Sequence, residues 1–186
     1  MQIDEIRRAI EKARKGIGQY LEIMELFPTI DVSLNEDFQR RFNAFYRIRQ
    51  RPRAWYEEYY SYMQSQKERI TTFPEVLRHL FSTLDRYEPS FSSKLVATLN
   101  ADLPVWDSMV LSYACIERPP YSSRDKVVQA DVVYQRLTKW HGEHMNSAQG
   151  KLILETFRQM VPEHYKISDL KKIDFVLWQN RAEPAL

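Results

Sequence analysis

Glycine is scarce in this chain, with 4 in 186 residues, and the scarcity bears on both chemistry and fold. No glycine-rich phosphate loop, nucleophile elbow or Ser/His/Asp order emerges. Strict period-two alternation is also scarce, so helices dominate the reading. The single cysteine, Cys115, cannot close an internal disulfide, which points to a reducing compartment. Lying within the apolar run MVLSYACI, it reads as a small core residue. No apolar run approaches the roughly 20 residues needed to span a bilayer. The N-terminus, MQIDEIRRAIEKARKG, lacks the apolar region of a signal peptide. A soluble, cytoplasmic protein without a membrane partner is expected. An excess of one charge is lacking too. The net +2 draws the molecule strongly toward neither nucleic acid nor membrane, so any basic surface must be local.

What is present is an ordinary globular balance. Apolar residues make up 44% and charged residues 28%, enough to bury one core and far from the signature of disorder. Ile3, Ile6, Ile10, Ala13, Ile17, Tyr20 and Met24 recur at alternating threes and fours, one apolar stripe on a helix that Phe27-Pro28 ends. Gly16 and Gly18 weaken it near its middle. Ser33 followed by Glu36 reads as a capping box opening a second helix through Arg49. Pro52 restarts a third and Pro74 a fourth, PEVLRHLFSTLDRY. A short helix over Phe91–Asn100 follows, then an apolar, buried one containing MVLSYACI. The loop Glu117–Ser123 leads to a long helix over Ser123–Met145, broken around Gly142. Two more cover Ala148–Met160 and Asp169–Gln179, the latter capped by Ser168. The tail NRAEPAL is expected to fray. These segments predict one all-α domain over residues 1–186, of eight or nine helices.

Three stretches could carry chemistry. In RRFNAFYRIRQRPRAWYEEYYSYM, Arg40, Arg41, Arg47, Arg49, Arg51 and Arg53 interleave with Phe42, Phe45, Tyr46, Trp55 and Tyr56. Arginine forks bind phosphate and aromatic faces stack on unpaired bases, so a nucleic-acid contact surface is one reading. Amphipathic helices with rings inward and guanidiniums in water are the other. In WHGEHMN, His141 and His144 are three apart, but a metal site needs further ligands that the sequence does not show, so no metal and no cofactor are expected. The third stretch is SFSSKLVATLNADLPVWDSMV. Its Lys94 falls at the edge of an apolar arc formed by Phe91, Leu95, Val96 and Leu99. Its Asp107 precedes a helix, where a carboxylate serves as a cap.

The order of helix, tight turn, helix with an early lysine, and Pro-Val-x-Asp link into a further helix resembles the helix-hairpin-helix DNA glycosylases, and the 8-oxoguanine glycosylase branch most. The similarity covers residues 75–117. It implies a phosphate-binding hairpin over Ser90–Val96, with Ser90, Ser92 and Ser93 at its contact positions. It implies Lys94 as catalytic lysine, and Leu103–Asp107 as the segment supplying a catalytic aspartate. Serines stand at both of the hairpin's glycine positions, and Ser108-Met109-Val110 follows the aspartate where the family has a histidine or threonine pattern. The function implied is a DNA-binding, base-excision repair hydrolase with lysine-dependent lyase activity, with Arg47, Arg49, Arg51 and Arg53 holding flanking DNA. A non-catalytic helical protein binding a protein or nucleic-acid partner is the alternative.

Overall fold

The computed structural model describes residues 1–179, so the expectation for the tail NRAEPAL lies outside the described residues. Within them the chain is all-helical, with nine α-helices and no strand. The helices are α1 (Ile3–Leu26), α2 (Glu36–Tyr46), α3 (Arg53–Ser65), α4 (Phe73–Leu84), α5 (Pro89–Leu99), α6 (Ser108–Tyr113), α7 (Lys126–Asn146), α8 (Ala148–Met160) and α9 (Asp169–Gln179).

The stripe on α1 is buried at Ile6, Ile10, Ala13, Ile17 and Tyr20, as its spacing predicts, while its ends Ile3 and Met24 are exposed and half-buried. It lies against α2, α8 and α9. Helix α9 has the most enclosed position: every residue from Leu170 to Leu177 is buried, because α1, α6, α7 and α8 all pack on it. A second group joins α4 to α5 and α7. The buried side chains of both groups form one continuous cluster.

Several boundaries differ from expectation, each for a local reason. The cap of α2 is Asn35, whose side chain accepts from Phe38 N–H at 2.8 Å; Ser33 instead donates to Asp31 at 2.6 Å. Helix α2 stops at Tyr46 because Arg47 turns left-handed with φ 55°, and Ile48 N–H reaches back to Asn43 O at 2.9 Å, a helix-ending pattern of the Schellman kind. Helix α7 runs unbroken through Gly142. A capping box between Thr72 and Glu75, which the sequence analysis does not name, opens α4. Helix α6 is only six residues long, and Cys115 lies beyond it, exposed and left-handed. The reading of Cys115 as a core residue is therefore corrected. It failed because the apolar run outlasts the helix, and the chain turns outward after Tyr113.

Ser147 ends α7 and caps α8, accepting from Gly150 N–H at 3.0 Å. This turn brings His144 O to 1.9 Å from where a Cβ on Gly150 would lie. Replacing an interior helical glycine by alanine ordinarily stabilises by about 1 kcal/mol, and Gly142, with open space around its Cβ position, should follow that rule. Gly150→Ala should reverse the sign, destabilising by about 1–3 kcal/mol through backbone displacement. Urea denaturation of both variants checks the contrast; two stabilising substitutions would refute the crowding.

Candidate functional site

The segment Ser90–Val96, a hairpin by the resemblance but helical from Phe91 by local pattern, is wound into α5 from Pro89 onward. Proline at the first turn suits a helix start, since its missing N–H would have been unpaired there. The turn between α4 and α5 is Asp85–Glu88, with Asp85 left-handed at φ 49°. Helix, turn and helix are thus present in the expected order, but the three serines belong to the second helix. Ser92 and Ser93 are fully buried. Ser92 donates to Glu88 O at 2.9 Å, and Ser93 donates to Ser90 O at 2.8 Å. Ser93 also accepts from Trp106 N–H at 2.8 Å. That last bond fastens the Leu103–Trp106 link to α5. Ser90 is half-buried, and its carbonyl is the group that Ser93 uses.

The link delivers Asp107 to the start of α6, where its Oδ1 accepts from Met109 N–H at 2.8 Å. Lys94, one turn into α5, is half-buried. Its Nζ donates to Tyr46 O at 3.1 Å and lies 4.6 Å from the centre of the Phe91 ring and 5.8 Å from that of Tyr46. Burial brings the Lys94 ammonium down to about 8, with the charges of Asp107 and Glu88 opposing that fall and Arg51 adding to it. Lys94 and Asp107 therefore share one electrostatic environment, although the strong contacts of each are with backbone.

The arginine-aromatic stretch separates into two sides. Phe42, Tyr46, Trp55, Tyr59 and Tyr60 are buried, in a chain of contacts that includes Trp55 stacked on Tyr59 at 4.8 Å. Those rings are closed to any base, which corrects the stacking surface expected for Phe42, Tyr46 and Trp55. The apolar environment takes the rings because each buries a large area, while the guanidiniums stay with water or carboxylates. Arg40 and Arg41 pair with Asp37, and Arg41 also with Glu22 at 2.6 Å. Arg53 is exposed and pairs with Glu57 at 2.7 Å. Arg47 and Arg49 are exposed on the loop between α2 and α3, on either side of Ile48, which is buried. Gln50 is the second left-handed residue of that loop, at φ 56°.

Arg51 differs from its neighbours. It is drawn inward to Glu88, with Nη2 3.1 Å from Oε1. Its guanidinium carbon lies 5.0 Å from the Phe91 ring centre and 5.8 Å from that of Trp55. Glu88 is held above the usual carboxylate range by burial, with Arg51, Arg86 and Lys94 opposing. Tyr46, Glu88 and the inward Arg51 thus belong to the surroundings of Lys94, which the sequence did not show. Glu88 carried a faint signal as the residue before the Pro89 helix start.

A surface hollow of about 330 Å³ is lined by Pro28, Thr29, Ile30, Asp31, Gln64, Ser65, Lys67 and Glu68. It includes neither Lys94 nor Asp107. Lys67 borders it, donating to Phe27 O at 2.5 Å and to Ile30 O. Those contacts cap the end of α1 with a cation.

His141 and His144 also part company. His141 is fully buried, Nε2 3.0 Å from Asp174 Oδ1 and Nδ1 3.0 Å from Leu137 O. Lys171, equally buried, lies 3.3 Å from Asp174 Oδ2. His144 stacks on Trp140, ring centres 4.6 Å apart. Burial and the neighbouring His141 hold the His144 imidazolium below the ordinary histidine range.

No protein-family model matches this chain, and no curated protein or solved structure matches it either. No described helix is long and apolar enough to cross a membrane.

Proposed function

We propose that this chain binds DNA and acts on it in the manner of a base-excision glycosylase, with Lys94 as the amine nucleophile and Asp107 as the stabilising carboxylate. The observation that carries the reading is Lys94 itself: a half-buried amine, brought to about 8 chiefly by burial, within the field of a partly exposed carboxylate. A lysine in that range is neutral in a useful fraction of molecules near neutral pH, which an ordinary surface lysine is not.

The chemistry follows from those two groups. A base drawn from the stack leaves the sugar with the electron pair of the glycosidic bond, and positive charge builds on the sugar ring. Asp107, held by its helix cap through Oδ1, stabilises that charge through its other oxygen. The neutral Lys94 Nζ bonds to the sugar carbon and gives up a proton, and the sugar ring opens to a Schiff base. Elimination of the 3′ phosphate then cuts the strand. Arg47 and Arg49, exposed on the loop that follows the carbonyl holding Lys94, supply the flanking phosphate contacts. The buried Ser92 and Ser93 have no part in them.

Borohydride reduction in the presence of duplex DNA carrying damaged bases or abasic sites tests the reading. The parent protein should form a covalent DNA adduct, Lys94→Gln should form none, and Asp107→Asn should release base at least about 100-fold more slowly. No adduct and no base release from the parent would remove the enzymatic assignment. The inward-facing rings favour the competing reading, a non-catalytic helical protein that binds a partner. A salt titration separates the two: phosphate contacts make affinity for DNA fall steeply with salt, and failure to bind at low salt would leave a protein partner.

A further inference from the structure

Lys94 and Arg51 are both cations, they come from different parts of the chain, and they lie against the same ring. The Lys94 Nζ is 4.6 Å and the Arg51 guanidinium carbon 5.0 Å from the centre of Phe91. Glu88 holds Arg51 in that position, and its side chain is only 12% exposed. The Arg51 side chain is 26% exposed, far more enclosed than that of Arg53 at 92%. A guanidinium drawn this far from water, beside another cation, needs a reason beyond solubility.

We propose that Arg51 and Glu88 are positioning residues that together set the charge carried by the Lys94 amine, Arg51 pressing it toward the neutral form and Glu88 holding it toward the charged one. The inference rests on the reading of Lys94 as the working amine. It reassigns Arg51 from a DNA phosphate contact to a neighbour acting on that amine from inside the protein.

The groups facing Lys94 are few. Arg51 comes from the loop before α3, and Glu88 from the turn before α5. Asp107 stands at the start of α6, and Tyr46, at the end of α2, contributes its carbonyl and its ring. Asp107 and Glu88 favour the ammonium, while Arg51 opposes it. Because Arg51 and Glu88 also bind each other, each partly screens the other's effect on Lys94. Removing one therefore unmasks the other. A purely structural role gives a different signature: breaking the pair from either side would loosen the turn, admit water, and move Lys94 toward an ordinary lysine in both cases.

The test reads Lys94 directly, without DNA. The full chain is reacted with an amine-acylating reagent across a pH series, and modification of Lys94 is followed by peptide mass. Arg51→Gln should shift the half-reactivity point of Lys94 upward, and Glu88→Gln should shift it downward, each by on the order of one pH unit. Near pH 7 that corresponds to about tenfold slower and about fivefold faster acylation respectively. Arg51→Lys, which keeps the charge, should hold the parental profile. Opposite shifts with this rescue support the assignment. Shifts in the same direction, no shift, or an Arg51→Lys profile matching that of Arg51→Gln overturn it. A loosened Glu88→Gln protein would move upward and so count against the proposal. Failure of the borohydride adduct would remove the enzymatic reading while leaving these profiles interpretable, so the two failures are distinct.

Discussion

Asp174→Ala is expected to lower the unfolding free energy by about 3–5 kcal/mol, the range seen when one member of a buried ion pair is removed. Asp174, His141 and Lys171 are each fully shielded from solvent. Asp174 is the acceptor the other two share, at 3.0 Å from His141 Nε2 and 3.3 Å from Lys171 Nζ. Both ring nitrogens of His141 face acceptors, Leu137 O and Asp174 Oδ1. A proton must therefore lie on the line between Nε2 and the carboxylate, whichever atom carries it. Without the carboxylate, that ring nitrogen loses its partner. Among the described residues the Lys171 ammonium then keeps only its ring contacts, 4.7 Å from the centre of Trp178 and 5.6 Å from that of Tyr20. Neither ring can replace a carboxylate in a site closed to water. Equilibrium urea denaturation measures the loss, and a decrease below about 1 kcal/mol would show that water or rearrangement rescues the site. Replacing all three residues together with apolar side chains of similar volume should cost far less than the single change, because no group is then left buried without a partner.

Lys94→Met should act in the opposite direction. Near pH 7 Lys94 is mostly protonated in the folded chain and wholly so in the unfolded one, and the folded state holds that charge in a partly desolvated place. Its folded value is about 8, against 10.5 for a free lysine. The folded value is depressed, so between those two pH values the unfolded chain binds more protons, and stability rises as pH increases across that window. At about 1.4 kcal/mol per unit, the gap amounts to on the order of 3 kcal/mol, an upper figure because the side chain is not wholly enclosed. Methionine keeps most of the stem and removes the charge. The variant should be more stable at pH 7 by up to that amount, and the advantage should vanish near pH 10. Above that, the buried tyrosines reverse the slope in both proteins. Tyr46, Tyr59, Tyr60 and Tyr134 are all raised by burial, so their unfolded forms lose protons first and stability falls. Denaturation midpoints from pH 6 to 11 would reveal the crossing; parallel curves would show that Lys94 carries no strain. A residue that weakens the fold at working pH is what a site retained for its chemistry is expected to contain.

Periodicity and punctuation foresaw the helices well, because those signals are local. The α1 stripe, Pro52 before α3, and Ser168 accepting from Lys171 N–H at 3.2 Å all act within one or two turns. The site was only half legible. Lys94 at the edge of an apolar arc and Asp107 at a helix start were both visible from spacing. The hairpin expected at Ser90–Val96 came from the resemblance, and α5, starting at Pro89, follows instead the local reading of a helix over Phe91–Asn100. Arg51 and Tyr46 could not be placed around Lys94, since they lie up to 48 residues away in the chain. In the sequence, the buried Lys171 and Asp174 are only two oppositely charged residues three apart on a helix. Nothing in KKID announces that four neighbouring helices will close over it.

The amino-acid sequence by itself determined that this protein is helical, where most of its helices begin, and which faces of them are apolar, since each of those outcomes is settled by neighbours a few residues apart. Only the tertiary structure decided which charges would be shut away from water: His141, Asp174 and Lys171 in the core, and Lys94 beside Arg51, Glu88 and Asp107. The reason is that the free energy of a charge depends on everything packed around it, and those surroundings come from segments the chain joins only on folding.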